Sequence, residues 1–325
     1  MRFRRRQFLY LAAYGTVLPA VSRTAMAQNY PIKPVRVIVG FAPGGPNDIH
    51  GRLIAQWLSE RFGQPFVVEN RPGASGNIGV EAVVRSQADG YTLLIVSNTD
   101  TINATLYDNL NFNFVRDIAP VAGMYRNGFI LEVHPSLQAR TVPELIAYAR
   151  ANPGSLICAS AGTGTPQHAS SELFKMMTGI AMLHVPYRGE ALALADMISG
   201  QAQVMFGGMT SSIQHIRSGR LRALAVTTAA RSVVLPDLPT VGEFVPGYET
   251  SGWIGVGAPK TTPTEIIDIL NREINAGLSS PTIKGRYADL GGTALHGSPA
   301  EFGKLITEEI DKWAKVVKYA AIKPG

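Results

Sequence analysis

The stretch RVIVGFAPGGPNDIHGRLIAQWL, residues 36–58, joins an apolar run to an amphipathic pattern through a turn rich in glycine and proline. The run VIVGF is typical of a buried strand, and apolar residues recur at helical spacing after the turn. The turn itself, FAPGGPND at residues 41–48, contains no Ser, Cys, His or Lys. The stretch therefore predicts a strand, a tight turn and a helix, with a turn that offers backbone N–H groups rather than reactive side chains.

The same alternation continues along the chain. Three S/T-x-x-E capping boxes, beginning at Thr141, Thr262 and Ser298, predict helix starts. Further strand candidates are FVVEN, YTLLIVS, GFILEVH, SLICASA, MLHVPY, QVMFG, LRALAVTT and GWIGVGA. Several of these runs are apolar on successive residues, as in strands covered on both faces. The pattern predicts an α/β fold with mostly parallel sheets flanked by helices.

Two domains fit this pattern better than one. Residues 28–127 form a β-α-β-α-β unit, and residues 128–250 repeat it. The C-terminal part, residues 251–325, offers one strand and several helices, which cannot easily fold alone. We expect it to return to the first unit, so that domain 1 comprises residues 28–127 and 251–325, domain 2 comprises residues 128–250, and a cleft lies between them.

The net charge of +6 is concentrated at the N-terminus. The first 27 residues contain five arginines and no acidic residue, and without them 25 basic residues face 24 acidic ones. A nearly neutral body lacks the basic surface of a nucleic-acid-binding protein. We therefore expect no nucleic-acid partner.

The N-terminus predicts an export signal. MRFRRRQ is a positive region, FLYLAAYGTVLPA is an apolar region too short to span a bilayer, and AMA precedes a cleavage point between Ala27 and Gln28. The Arg5–Arg6 pair fits a twin-arginine signal, although an ordinary secretion signal explains it equally well, and a monotopic anchor is the remaining alternative. Cys158, the single cysteine, lies in an apolar run and is expected to be a core residue. The sequence predicts a periplasmic protein without a stable membrane anchor.

The glycine-rich segments and the histidines do not match the common motifs of enzymes. Residues 42–48 lack the Lys-Ser/Thr of a phosphate-binding loop, and ASAGTGTPQH has Gln167 where a dinucleotide-binding loop needs its third glycine. No G-x-S-x-G sequence occurs, and the six histidines lack zinc-site spacing. A triad assembled from distant residues stays possible, since triads have no fixed spacing. We expect a binding protein with no cofactor and no metal.

Two glycine-rich turns offer anion sites. Gly44 and Gly45 precede a helix start, where unpaired N–H groups and the helix dipole favour an anion, and residues 161–166 repeat this arrangement. Facing each other across a cleft, they would hold a small carboxylate from both ends. The alternative is that both are ordinary βα turns. Asp48 competes with an anion for the first helix, and Asn47 is expected to cap that helix.

The motifs FAPGGPND, VVENRPGASGNIG, DGYTLLIVSN, AGTGTPQHASSELF, HVPYRG, GRLRALAVTTAARS and LPDLPTVGEF, with the closing EFGKLI…WAKVVKYAAIK, occur together and in this order. The chain thereby resembles the solute-binding receptors of tripartite tricarboxylate transporters, the Bordetella uptake gene (Bug) family. The resemblance implies a two-domain, type II-like periplasmic-binding-protein fold. It also implies a monomer that closes on a small organic carboxylate and presents it to an integral-membrane permease.

The resemblance also implies which loops meet the ligand. The residues are Phe41, Pro43, Gly44, Gly45, Asn47, Asp48, Ser97, Asn98, Ser160, Gly162, Thr163, Thr165, His168, Tyr187 and Gly207. For Tyr187, core packing with a bonded hydroxyl is an equal alternative. The segment ENRPGASGNIG, residues 69–79, is expected to be mainly scaffolding, with direct ligand contact as the alternative.

One departure from the family pattern affects the expected ligand. Many relatives carry Asp after QVMF, where this chain has Gly207. We expect its loss to disfavour amino-acid ligands and to leave room for a bulkier, aromatic carboxylate. A dicarboxylate or tricarboxylate remains possible. Two alternative functions are a sensory receptor for a carboxylate and a hydrolase that uses the same cleft.

Overall fold

The computed structural model describes residues 30–107 and 109–323, so the predicted export signal lies outside the described residues. Ten strands are present in this part of the chain. They are β1 (Val35–Val39), β2 (Phe66–Asn70), β3 (Thr92–Ser97), β4 (Ile118–Val133), β5 (Ile157–Ser160), β6 (Leu183–Pro186), β7 (Val204–Gly208), β8 (Arg222–Val226), β9 (Ser251–Pro259) and β10 (Gly292–Ala294).

Eleven α-helices connect or follow these strands within the described residues. They are α1 (Pro46–Phe62), α2 (Asn77–Val84), α3 (Asn98–Leu106), α4 (Phe114–Asp117), α5 (Val142–Ala151), α6 (Pro166–Thr178), α7 (Glu190–Ser199), α8 (Met209–Arg217), α9 (Thr264–Ser279), α10 (Pro281–Asp289) and α11 (Pro299–Tyr319). Two 3-10 turns lie at Ala74–Gly76 and Val241–Glu243.

The strands form two sheets that share β4. The first sheet has the order β2-β1-β3-β9-β4-β10, with β1, β2 and β3 parallel and β9 antiparallel to both β3 and β4. The second has the order β8-β4-β7-β5-β6, with β5 parallel to β6 and β7 and with β4 antiparallel to β7 and β8. Both sheets are therefore mixed, with a parallel part at one side of each.

Strand β4 runs through both sheets. Its residues up to Gly128 pair with β9, and from Phe129 onward they pair with β7 and β8. The chain returns to the first sheet at Ser251, the first residue of β9. These crossing points lie next to the predicted boundaries of residues 127/128 and 250/251, although the division into domains stays a prediction.

The last helix contacts elements of both sheets. Phe302 and Ile306 of α11 pack with Trp253 of β9, whereas Trp313 and Val316 belong to the apolar cluster that contains Phe174 of α6. The sequence analysis placed the whole C-terminal part with the first unit. The second half of the amphipathic α11 packs in a cluster with residues of both predicted units, among them Leu106 and Phe174.

Local sequence explains where the helices begin. The predicted boxes at Thr141 and Ser298 start α5 and α11, and Ser298 forms the complete reciprocal pair with Glu301. The expected box at Thr262 is wrong, because Pro263 is the N-terminal cap of α9 and makes no side-chain capping bond. Cys158 is buried in the core, as expected, and burial raises the pKa of its thiol to about 12.

Candidate functional site

In each sheet the carboxyl ends of the parallel strands lie at one edge, and a loop or the start of a helix follows each of them. In the first sheet these are residues 40–45 after β1, 71–76 after β2 and the start of α3 after β3. In the second sheet they are residues 161–165 after β5, 187–189 after β6 and the start of α8 after β7. We call these the first edge and the second edge. Ligands of open α/β sheets bind at such edges.

Asp48 fixes the conformation of the turn at the first edge. The Gly44 N–H donates to Asp48 Oδ2 over 2.9 Å, and Gly44 adopts a left-handed conformation with φ of 85°. Asp48 also accepts from Arg52 Nε at 3.0 Å and from Asn70 Nδ2 at 2.9 Å. Pro43 and Gly44 are exposed. The backbone of the turn is thus exposed to solvent, while the hydrogen bonds of Asp48 hold its conformation.

Asp48 keeps a negative charge that Arg52 neutralises. Burial alone would raise the pKa of Asp48, but hydrogen bonds from Arg52, Gly44 and Asn70 and the charge of Arg52 outweigh it and hold the pKa below its usual range. Because Arg52 cancels this charge, the helix dipole of α1 can still favour an anion. Asp48 nevertheless takes the N–H of Gly44, so an anion at this turn would have to be bound by its other N–H groups.

Asn47 does not cap α1, contrary to the expectation. Gly45 is the cap residue, Pro46 begins the helix, and the Asn47 Nδ2 donates to Ser97 Oγ at 3.2 Å. The link joins the turn after β1 to the end of β3. Phe41, at the start of the turn, is half-buried and faces Gly76, where a Cβ would meet its ring at 3.3 Å. The segment ENRPGASGNIG therefore packs against the turn of the first edge, and its direct contact with a ligand stays an alternative prediction.

Asn98 is engaged in internal bonds. Its Nδ2 donates to Ser251 O at 3.1 Å and to Glu309 Oε2 at 2.8 Å, and its Oδ1 accepts from Trp253 N at 2.6 Å. The residue is buried and ties α3 to β9 and α11. The geometry shows a structural role for this side chain.

The second edge starts from Ser160, which is fully buried at the end of β5. Its Oγ lies 2.7 Å from His184 Nε2 and accepts from Gly162 N at 3.2 Å. Gly162 has a φ of 145°, which favours glycine. Burial, followed by the neighbouring His168, lowers the pKa of His184 to about 3, so its ring is neutral.

Thr165 and His168 shape the start of α6. Thr165 is the cap, with its Oγ1 accepting from His168 N at 3.4 Å and donating to Gly162 O at 2.7 Å. The His168 ring stacks on His184 at a centroid distance of 3.6 Å, and its Nδ1 accepts from Gly164 N at 3.2 Å. His168 therefore fixes the turn from inside. Thr163 is half-buried at the tip.

Tyr187 takes the packing role that the sequence analysis left as an alternative. Its hydroxyl donates to Asp196 Oδ2 at 2.6 Å, and its ring packs against the cluster formed by Ala159, Met197 and their neighbours. Its backbone carbonyl lies beside Gly162, where a Cβ would meet it at 3.3 Å. The hydroxyl is thus engaged, while the main chain borders the second turn.

Gly207 is buried, and the space expected beside it is filled. A Cβ at this position would overlap the carboxyl of Glu132 and the hydroxyl of Ser212. Glu132 lies on β4, next to β7, and its side chain is fully buried. The expectation of extra room for a bulky ligand at Gly207 is therefore not met, because an acidic side chain from the neighbouring strand fills that room.

Glu190 was missed by the sequence analysis. It is the first residue of α7 and its Oε1 accepts from the Gly208 N–H, while Gln167 Nε2 lies 3.4 Å from its Oε2. Glu190 is half-buried at the second edge. The tertiary pairing of β6 and β7 with β5 brings it there, and the sequence carried no signal beyond its place after HVPYRG.

The two edges approach each other. Gly164 of the second edge lies against α3 of the first, where a Cβ would overlap Leu106 and come within 3.8 Å of Asn103 Oδ1. On the other side, Thr210 Oγ1 donates to Leu290 O at 2.6 Å, which joins α8 to the end of α10. The loops of both edges therefore border one region between the two sheets.

This region suits binding better than catalysis. The turns present main chain at the starts of α1 and α6, and the buried side chains behind them form mutual hydrogen bonds. Among the described residues, no group of three or more His, Cys, Asp or Glu could hold a metal ion. Within residues 30–107 and 109–323, no helix has the length and hydropathy needed to cross a membrane.

Two sheets joined by crossing strands, with glycine-rich turns at facing edges, define a solute-binding protein of the periplasmic type. The tripartite tricarboxylate transporter family receptor model, TctC, matches residues 51–322, and the chain belongs to this family. The family consists of ligand-binding receptors, which confirms the resemblance and the expectation of a binding protein rather than an enzyme.

Similar proteins support the same assignment. Protein BugT of Bordetella pertussis is 36% identical over 97% of this chain and 96% of its own length. The structure of R. palustris Rpa4515 with adipate is 39% identical, with a TM-score of 0.85 over 91% of this chain and all of that chain. MatC from Rhodopseudomonas palustris with bound malate is 29% identical, with a TM-score of 0.81 over 89% of this chain and all of that chain. The expected α/β binding-protein fold is confirmed.

Proposed function

We propose that the protein captures one small organic carboxylate between its two edges and delivers it to the permease of a tripartite tricarboxylate transporter. The observation that carries this proposal is the pair of glycine-rich turns, at Gly44 and Gly162, each followed by a helix start. Helix starts and free backbone N–H groups favour anions, and glycine lets the main chain come close to them. Similarity to the proteins bound to adipate and malate supports a carboxylate ligand.

Within residues 43–45 and 162–165, the N–H groups that are not already bonded inside the turns are those of Gly45 and Thr163. The ligand contacts proposed here are these two N–H groups and the hydroxyl groups of Ser97 and Thr163. Both ends of the ligand are held only when the edges approach, so closure of the cleft would complete the site. We further propose that the export signal is removed after Ala27 and that the protein works in the periplasm as a monomer.

A thermal-shift screen of the chain from Gln28 tests the binding step. A ligand that binds only the folded state raises the free energy of unfolding, by about 2.7 kcal/mol at a hundredfold excess over Kd. The melting temperature rises as a result. Aliphatic, amino and aromatic carboxylates form the panel. A raised melting temperature with at least one acid supports the proposal, and no shift with any acid contradicts it.

Two matched glycine variants localise the binding. Gly44 and Gly154 both have left-handed backbones, with φ of 85° and 74°, and a Cβ would meet nothing within 4 Å at either. Alanine strains both turns similarly. Gly44→Ala should also lose most of the ligand-induced shift, whereas Gly154→Ala, which precedes β5 and lies at the opposite end of that strand from the second edge, should keep it. Equal ligand shifts in both variants would place the site elsewhere.

Delivery to a permease is tested in cells. Deleting the gene from its source bacterium should abolish uptake of the acid found in the screen, and the Gly154→Ala form should restore it. Unchanged uptake after deletion would exclude the transport role and leave a sensory role for the same binding protein. The mass of the periplasmic protein checks the predicted start at Gln28.

A further inference from the structure

The second edge contains one half-buried carboxyl group, that of Glu190, beside its glycine-rich turn. Glu190 begins α7, directly after the loop that follows β6, and is half-buried. One oxygen accepts from Gly208 N, at the start of α8, and the other lies 3.4 Å from Gln167 Nε2 in the first turn of α6. Its position is therefore fixed by the helix starts that follow all three parallel strands of this edge.

A second carboxyl group lies behind Glu190. Glu132 is fully buried, and its Oε1 accepts from Ser212 Oγ at 2.9 Å. Its Oε2 has no hydrogen-bond partner among the described residues. Repulsion from Glu190 adds to the effect of burial in raising the pKa of Glu132, so the two groups are near enough to interact. Burial likewise raises the pKa of Glu190, although hydrogen bonds from Gly208, Ser211 and Gln167 partly offset it.

These two acids have no cationic partner in the part of the chain that the structure describes. Among the described residues, no Lys, Arg or His nitrogen lies within 4.0 Å of either carboxyl group, whereas Asp48 at the first edge is paired with Arg52. Buried carboxylates are normally paired, because an isolated buried charge is costly. Glu132 avoids this cost by keeping its proton, since its pKa is raised. Glu190, the half-buried member of the pair, is therefore the carboxyl group whose charge a ligand would compensate.

We propose that Glu190 is a specificity-determining ligand contact and that the ligand is an amino-acid-like zwitterion, whose ammonium group donates to Glu190 while its carboxylate binds the glycine-rich turns. This inference rests on the proposed function. It reverses the expectation drawn from Gly207, because Glu190 supplies the acidic group that is missing from position 207. A carboxylate placed against Glu190 would be repelled by the charge of Glu190.

A hydroxyl group could also donate to Glu190, but it would leave the local negative charge uncompensated. The ammonium group supplies both a donor and the missing charge, and hydrogen bonds between charged groups are the stronger kind. These possibilities are separated by a series of ligands that differ only in one substituent, which is hydrogen, hydroxyl or ammonium. Glutarate, 2-hydroxyglutarate and glutamate form one such series, and succinate, malate and aspartate form another.

Calorimetric titration of the full chain from Gln28 with both series tests the inference. In each series the amino acid should bind at least about tenfold more tightly than the unsubstituted acid, as one charge-assisted hydrogen bond allows. Glu190→Gln should remove most of this preference without weakening binding of the unsubstituted acid. Glu308→Gln, an exposed change on α11, should keep the preference. Glu190→Ala serves as a second variant if Glu190→Gln fails to fold.

The outcomes separate the two proposals. If the amino acids bind no more tightly than the unsubstituted or hydroxylated acids, or if Glu190→Gln keeps the preference, the assignment of Glu190 is overturned and the carboxylate receptor stands. If no acid of the wider panel binds the unchanged protein, both proposals fail. Preference for the amino acids that disappears only in the Glu190 variants supports the assignment.

Discussion

The carboxyl group of Glu132 occupies the space beside the α-carbon of Gly207 on the neighbouring strand, so position 207 has no room for a side chain. Gly207→Ala should therefore destabilise the protein by about 1–3 kcal/mol, the usual cost of adding a methyl group to a filled core. Urea unfolding followed by circular dichroism measures this loss.

Gly285→Ala is the matched control for that change. Gly285 lies exposed in α10 and a Cβ there would meet nothing within 4 Å. Alanine is the better helix former, so this variant should match the parent or gain about 0.5–1 kcal/mol. If Gly207→Ala proved as stable as Gly285→Ala, Glu132 would have to lie elsewhere.

Glu132 should make stability fall as the solution becomes alkaline. Burial, followed by repulsion from Glu190, raises the pKa of Glu132 well above its usual range, although the Ser212 hydrogen bond opposes this. The folded protein then holds a proton that the unfolded chain releases, so the stabilisation is present at low pH and is lost as pH rises. Glu132→Gln keeps the side-chain shape and an acceptor for Ser212.

The Glu132→Gln variant should thus be more stable than the parent at about pH 8, with a flatter dependence of unfolding free energy on pH. Chemical unfolding from acid to alkaline pH measures both slopes. Parallel curves for parent and variant would show that Glu132 ionises in the folded protein as readily as in the unfolded chain.

The relation between Glu132 and Gly207 also shows how far the sequence could be interpreted. Residues next to each other in the chain predicted the turns, because strand, glycine and helix signals are local. The position of Glu132 depends on which residues of β4 and β7 pair, and that register is a tertiary property. The role proposed for Glu190 could not be predicted for the same reason, because its place beside Gly208 depends on how β5 pairs with β6 and β7.

Long-range bonds explain the other differences. Asn98 follows the predicted strand YTLLIVS, residues 91–97, yet its amide is engaged by Ser251 and Glu309, more than 150 positions away in the chain. The box beginning at Thr262 had the right residue types, but α9 begins at Thr264 after Pro263. Residue types alone predicted both, and for Asn98 the packing of β9 and α11 decides the outcome.

Asp48→Asn should loosen the first edge. The change leaves the amide unable to match the hydrogen bonds from Gly44, Arg52 and Asn70 and removes the charge that Arg52 neutralises. Loss of hydrogen bonds to a charged, buried acceptor costs about 1–3 kcal/mol. We expect this loss in urea unfolding at neutral pH.

The pH dependence distinguishes the Asp48 charge from its shape. Because the pKa of Asp48 is held below its usual range, its stabilisation is present above the unfolded value of 3.8 and disappears as pH falls through the lower folded value. Parent and Asp48→Asn should therefore converge in stability in strong acid. A constant difference at all pH values would mean that shape, rather than charge, is responsible.

Two neutral histidines should make the protein sensitive to mild acid. Burial lowers the pKa of His50 to about 3, and burial with the neighbouring His168 lowers the pKa of His184 to about 3 as well. The unfolded chain binds these protons near the ordinary value of 6.5, so the stabilisation is present above that value and decreases as pH falls below it. The NMR signals of both rings should stay unchanged between about pH 7 and pH 5.

His50→Phe isolates one of these groups. His50 stacks on Tyr125 at a centroid distance of 3.9 Å, and its Nδ1 has no partner among the described residues. Phenylalanine keeps an aromatic ring there and removes a buried nitrogen that carries no hydrogen bond, so the acid slope of stability should decrease by about one proton. An unchanged slope, or a His50 signal that titrates near pH 6.5, would mean that this ring is protonated in the folded protein and that the acid sensitivity comes from His184 or from the carboxylates.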